Sequence, residues 1–358
     1  VTSPFYDLNA MGLPVFRLEG IEALQQAPLT DGIHQIEFGN GRTVDILCQD
    51  LEKLEKPETR RKLLVSFSAR FPRRNGRTQN RKAPFFSGMG IARDIGLPFV
   101  TISDPALALN TTLTVGWYAG TSGFPDLRTS ISQILQTLAQ RFGTHLVIFG
   151  GSGGGFAAMS QAALLQCEAS VLIWNPQTAL ADFSQRDLLA YIDTAFPDLS
   201  GQAQQITRLP MTERIGAFGE LFDAAGIHHD LRADTIGDHV RLAILQNQGD
   251  WHVFRHAIPL MAKRPWERIG VSTYIDRNGG NMGIHFGALS QGHEAPARIY
   301  IKLAVEYLAA SDSFDTYMGT FERDRNLRNA LRHASASKAM RAWSPRSIVE
   351  KLKRGLRN

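Results

Sequence analysis

A strand-like run, His145-Leu146-Val147-Ile148-Phe149, enters a run of six small residues, Gly150-Gly151-Ser152-Gly153-Gly154-Gly155. It leaves as a helix-like run from Phe156 to Leu165. A strand that turns straight into a helix brings the two backbones almost into contact, so side chains at the crossing are excluded. The spacing Gly150-x-Ser152-x-Gly154 matches the sharp turn that lifts a serine off the end of a parallel sheet with its hydroxyl exposed. A phosphate cradle is a poor fit. A P-loop needs Lys-Ser/Thr after the last glycine, and Phe156-Ala157 stand there. A dinucleotide fingerprint begun at Gly151 ends on Phe156, and the next strand ends at Asn175 rather than on an acid.

The flanking sequence supplies a sheet for that turn. Residues 32–38 and 42–47 alternate at period two around Gly39-Asn40-Gly41, a hairpin signal. Buried-type strands are expected at 62–68, 98–102, 169–174, 240–245 and 271–275. Helices are expected at 87–95, 127–142, 254–263 and 295–309, and a mostly helical stretch at 176–238. In the second of these, Ile131, Ile134, Leu135 and Leu138 share one face, and Gly143 is placed to close it. Residues 1–30 read as an irregular leader. Strands alternating with helices imply a mostly parallel sheet covered on both faces, with the hairpin as an antiparallel edge.

A serine hydroxyl is a weak nucleophile and needs a base, which in turn needs an orienting acid. In open α/β sheets such groups gather on loops at the carboxyl ends of strands. Asp250 lies just beyond the strand at 240–245. His293 lies on the loop that follows the strand at 271–275 and precedes a helix. Asp104 is a rival acid; His285, in the same loop as His293, and also His252 and His256 are rival bases.

The ordered set Ser152, Asp250-x-x-Val253 and Gly292-His293 resembles the α/β-hydrolase superfamily over roughly residues 31–310. The Gly-Gly-Ser-Gly-Gly elbow is most similar to the serine esterase and prolyl-oligopeptidase-like branch. The resemblance implies a three-layer α/β sandwich with an N-terminal antiparallel hairpin. It implies a hydrolase domain over 31–311, a lid-like helical insertion at 176–238 and a basic helical tail at 312–358. It further implies Ser152 as nucleophile, His293 as base and Asp250 as its orienter. The oxyanion would be held by the backbone N–H of Gly153 and one from Ser68 or Ala69. Two departures stand out. Phe67-Ser68-Ala69-Arg70 occupies the place of the family's His-Gly, and Asn247 stands where the acid loop often has glycine.

The reaction so implied is ester hydrolysis through an acyl-enzyme, with no metal and no cofactor. Acyl transfer to a glycan hydroxyl on the same triad and a catalytically inert binding protein on the same fold are the alternatives. Trp117-Tyr118, in a glycine-rich loop, are candidates for stacking on a small-molecule or glycan ester substrate. The net charge of +5 is concentrated at the end of the chain, where residues 321–358 hold eleven Lys/Arg against three Asp/Glu. The remainder is slightly acidic, which argues against nucleic acid as a partner. Ser344-Pro345 could start a short helix with Ile348, Leu352 and Leu356 on one side and Lys351, Lys353, Arg354 and Arg357 between them. Such a helix over 344–358 could make peripheral contact with an anionic membrane. With no signal peptide and no long apolar run visible, the expected location is cytoplasmic. The two cysteines, Cys48 and Cys167, read as small buried hydrophobes.

Overall fold

The computed structural model describes residues 3–55, 61–74, 80–277 and 281–342, the last nine of these by backbone alone. Eleven strands among the described residues form one sheet. In chain order they are β1 (Val15–Glu19), β2 (Gly32–Glu37), β3 (Thr43–Gln49), β4 (Lys62–Phe67), β5 (Phe99–Ile102), β6 (His145–Gly151), β7 (Ala169–Trp174), β8 (Val240–Asn247), β9 (Trp266–Arg268), β10 (Thr273–Asp276) and β11 (Met282–Gly287). Their spatial order is β1-β2-β3-β5-β4-β6-β7-β8-β11-β10-β9. The centre, from β5 through β4, β6, β7 and β8 to β11, is parallel throughout. The β2–β3 hairpin joins it antiparallel through β3, and β9 and β10 close the far edge antiparallel.

The helices are α1 (Gly20–Gln26), α2 (Met89–Ile95), α3 (Leu127–Phe142), α4 (Gly153–Ala162), α5 (Gln185–Ala195), α6 (Ser200–Ile206), α7 (Met211–Ala224), α8 (Ile258–Met261), α9 (Arg298–Ala310), α10 (Phe314–Arg323) and α11 (Arg325–Ala342). Alternation along the central strands divides the core in two. Leu146 and Ile148 of β6 face one cluster, with α1, α3, α4 and the 176–238 insertion. Val147 and Phe149 face the other, with α2, α9, α10 and α11. Helices on both faces of a mostly parallel sheet make a three-layer α/β sandwich. The cysteines are unpaired, and no described helix is long and apolar enough to cross a membrane.

Three segments differ from the sequence expectation. Residues 15–26 form β1, which pairs parallel to β2, and α1. With only one buried residue each, their apolar pattern is too thin to read. The strand expected at 271–275 is β10, but it is antiparallel and peripheral. The strand leading to His293 is β11, read above as loop. Gly283 and Gly287 break its apolar alternation, and Gly283 is required because a Cβ there would meet Met318 at 2.8 Å. His285 therefore sits on β11, its Nδ1 2.9 Å from Thr273 Oγ1 and its ring stacked on Phe321. It is not a loop residue.

The start of the basic tail, 312–333, is part of the second core: Phe314, Tyr317, Met318, Phe321 and Leu327 are buried there. The basic stretch 344–358 lies outside the described residues. Because Met318 is fully buried, Met318→Ala should lower the unfolding free energy by about 2–5 kcal/mol in urea titration. A loss under about 1 kcal/mol would mean that α10 is not core.

Candidate active site

The carboxyl ends of β4, β5, β6, β7, β8 and β11 lie on one edge of the sheet because these strands are parallel. The groups of interest are carried on the loops that leave this edge. At the end of β6 the chain turns through Ser152, at φ 53° and ψ −117°, and begins α4 at Gly153. A serine held there costs about 1–3 kcal/mol. The turn is clamped by backbone bonds: Ser152 N–H donates to Trp174 O at 3.0 Å, and Phe156 N–H donates to Ser152 O at 3.1 Å. A Cβ at Gly150 would stand 2.5 Å from Gly154 O, and one at Gly154 would stand 2.5 Å from Phe67 O. The glycines thus let α4 rest against both β6 and the end of β4.

Ser152, Asp250 and His293 come together. His293 Nε2 is 2.8 Å from Ser152 Oγ, and His293 Nδ1 is 2.7 Å from Asp250 Oδ2. The buried carboxylate accepts a hydrogen bond from Nδ1–H, which keeps the proton on Nδ1 and leaves the Nε2 lone pair to accept from the serine hydroxyl. Asp250 is oriented by a turn: Oδ1 accepts the His252 N–H at 3.0 Å, and its own N–H donates to Asn247 O at 3.1 Å.

Two asparagines that the sequence reading did not single out as site residues tie the loops together. Asn247 donates from Nδ2 to Gly292 O at 2.6 Å and accepts the Leu289 N–H at 3.1 Å, fastening the histidine loop to the acid loop. That explains why asparagine rather than glycine stands there. Asn175, at φ 43°, donates to Glu294 O at 3.1 Å and accepts the Asn247 N–H at 2.8 Å.

The rival residues have other work. Asp104 is buried after β5, where its carboxylate accepts the N–H of Ala106 at 3.0 Å and of Tyr118 at 2.9 Å. Burial pushes its pKa up to about 6. His252 packs under His293, ring centroids 3.8 Å apart, and His256 packs against His252 at 4.6 Å.

At the oxyanion position one expectation is corrected. The Ser68 N–H donates to Tyr118 Oη at 2.9 Å, so it has no bond left for a substrate. The Ala69 and Gly153 N–H groups have no protein acceptor among the described residues. The expectation for Trp117 and Tyr118 is corrected as well. They are 1% and 4% exposed and offer no free face. The Tyr118 hydroxyl donates to Ile102 O at 2.8 Å, and Trp117 lies edge-on to Phe183 and Tyr191. The exposed aromatic at the site is instead Trp251, 42% exposed and 6.3 Å from His293 between ring centroids. It lines a cavity of about 360 Å³ with Phe183, Leu188, Ile215, Phe218 and Arg255. Its position directly after Asp250 was the signal available in the sequence.

A further residue missed in the sequence touches the serine. Gln177 Nε2 donates to Ser152 Oγ at 3.0 Å, and its Oε1 accepts the Trp117 indole N–H.

No protein-family model matches the chain, and no curated protein matches it in sequence. Among solved structures, the chain is similar to a capsule O-acetyltransferase of Neisseria meningitidis serogroup A, at 16% identity and a TM-score of 0.48, over 80% of this chain and 99% of that one. It is similar to the acetyl xylan esterase from Paenibacillus sp. R4, at 12% identity and a TM-score of 0.43, over 81% and 92%. It is also similar to Candida antarctica lipase A in its closed state, at 12% identity and a TM-score of 0.44, over 84% and 85%. Likeness at these values is one of overall fold at most.

Burial, then the neighbouring rings, pushes His252 down to about 2; burial, then Arg232, pushes His256 down to about 3. Both rings are neutral in the folded protein, whereas the unfolded chain takes up their protons below about pH 6.5. Their contribution is fully present above that pH and is lost as pH falls toward the folded values. Urea titrations from pH 7 to pH 4 should therefore show stability falling with pH. His252→Phe should flatten that slope by about 1.4 kcal/mol per pH unit, and an unchanged slope would contradict the burial of a neutral ring.

Proposed function

We propose that the protein is a serine acyl hydrolase or acyltransferase acting on carboxylic esters through an acyl-enzyme on Ser152. The observation that carries this reading is the unbroken line from Ser152 Oγ to His293 Nε2, at 2.8 Å, and from His293 Nδ1 to Asp250, at 2.7 Å. In the first half-reaction Oγ attacks the ester carbonyl carbon while Nε2 takes its proton. The Asp250 carboxylate stabilises the resulting imidazolium without taking the proton itself. The N–H groups of Gly153 and Ala69 receive the carbonyl oxygen as it gains charge. Collapse of the tetrahedral intermediate breaks the bond to the leaving alcohol, which takes the proton back from Nε2. In the second half-reaction a water or an acceptor hydroxyl gives its proton to Nε2 and attacks the acyl carbon; collapse then breaks the acyl–Oγ bond, and Oγ takes the proton back from Nε2.

The 176–238 insertion acts as a lid in this reading. α5 and α7 contribute Leu188, Ile215 and Phe218 to the cavity beside Trp251, where an acyl or alcohol group could shed water. Trp251 replaces Trp117 and Tyr118 as the surface on which a small-molecule or glycan ester could stack.

A fluorophosphonate probe should label the full-length chain at Ser152. Ser152→Ala should abolish labelling, and His293→Ala should lower ester turnover by about 10⁴-fold or more. Labelling that persists undiminished in Ser152→Ala would rule out this serine as the nucleophile.

A further inference from the structure

We propose that the Gln177 side-chain amide is a third oxyanion donor at Ser152, held in that role by Trp117 and, behind it, by Asp104. This role presupposes the serine acyl-transfer reading above. Gln177 is 1% exposed and lies two residues after Asn175, at the carboxyl end of β7. A carboxamide has a donor end and an acceptor end of nearly the same shape, so its neighbours decide which way it points. The Trp117 indole N–H can only donate, so it fixes Oε1 toward itself. Nε2 must then face Ser152 Oγ, 3.0 Å away. The serine hydroxyl gives its one proton toward His293, so it can only accept from Gln177. The two hydrogen bonds on Oγ are thus of opposite sense and mutually consistent.

The amide has two N–H bonds, and Nε2 has no other protein acceptor among the described residues. The second N–H is free, beside the atom to which the acyl carbon bonds. The Gln177 side chain also packs beside Gly153, where a Cβ would lie 3.7 Å from Oε1, the end that Trp117 holds. With the Ser68 N–H occupied by Tyr118, such a side-chain donor completes a hole otherwise built from Gly153 and Ala69.

The support for the amide is itself strained. Trp117 and Tyr118 both stand at φ 56°, where a bulky residue costs about 1–3 kcal/mol. The buried Asp104 carboxylate holds them there by accepting the Tyr118 N–H. Glycine is needed at 116, because a Cβ would lie 2.7 Å from Asp104 Oδ2. The contact therefore runs from Asp104 through the 116–118 turn to Trp117, Gln177 and Ser152 Oγ. Packing alone would require no donor-only partner at Oε1 and no amide nitrogen on the nucleophile.

The test uses the full-length chain with p-nitrophenyl acetate, thermal melting and fluorophosphonate labelling rates. Gln177→Met keeps the volume and removes the donor. It should lower kcat and the labelling rate by about 10²-fold with KM little changed. Trp117→Phe frees the amide to flip and should lower kcat by about tenfold. The double variant should be no slower than Gln177→Met alone, because both changes act through one group. A kcat for Gln177→Met within about threefold of wild type, or losses that multiply in the double variant, would overturn the role. If Gln177→Met melts without a cooperative transition, Gln177→Glu decides. It still accepts from Trp117 but offers Oγ no donor, so near-wild-type kcat there would equally overturn the role. Ser152→Ala separates the two levels. Wild-type turnover by that variant sinks the acyl-enzyme reading itself, whereas loss in Ser152→Ala alone sinks only Gln177.

Discussion

The backbone of Ser152 stands in a region that serine avoids, and the architecture around it is what keeps it there. Leaving β6 at φ 53° requires α4 to begin within one residue. That brings the first turn of α4 against β6 and the end of β4, where no Cβ fits at Gly150 or Gly154. The resulting proximity has two consequences. It exposes Oγ at the sheet edge, and it sets the unpaired N–H groups at the start of α4 beside the loop that carries Ala69. Strain of about 1–3 kcal/mol is offset by burial of α4, all of whose residues are in the interior.

What the turn does for Ser152, two asparagines do for Asp250 and His293. Asp250 and His293 come from loops forty-three residues apart in sequence. Asn247 and Asn175 bind the loops to each other through backbone groups on both sides. The bonds are short-range and directional, so they fix where His293 stands more sharply than apolar packing could. Beneath it, His252 supplies a neutral ring rather than a charge, because burial holds its protonation well below the working range. In the proposed reaction, a second cation beside the His293 imidazolium would disfavour the state that proton transfer creates.

Much of this was legible in the sequence. The elbow and most of the central strands follow from local patterns: glycine where backbones cross and apolar runs for strands buried on two faces. Polar loops after strand ends made Asp250 and His293 candidates beside Asp104, His285, His252 and His256, and the resemblance to α/β-hydrolases chose between them. Other features depend on contacts far apart in sequence. β11 hides because Gly283 and Gly287 blank its alternation for packing reasons that only Met318 reveals. The Ser68 N–H appears free until Tyr118, fifty residues away, is seen to occupy it. Trp117 and Tyr118 were candidates for stacking on a substrate only from their place in a glycine-rich loop. Here the buried Asp104 pulls them inward. Gln177 carries no motif; it is marked only by the company of a donor-only indole and a nucleophilic oxygen.

The central claim is that the strained serine forms a covalent bond to an acyl group. The most direct measurement is rapid mixing of the full-length protein with a slowly turned-over carboxylic ester, acid quench, and peptide mapping by mass spectrometry. A single acyl group on the peptide containing Ser152, located on that residue and formed in a burst of one equivalent, is the predicted result. Consumption of the ester with the acyl group on another residue, or with no covalent adduct at any time point before steady state, would contradict it.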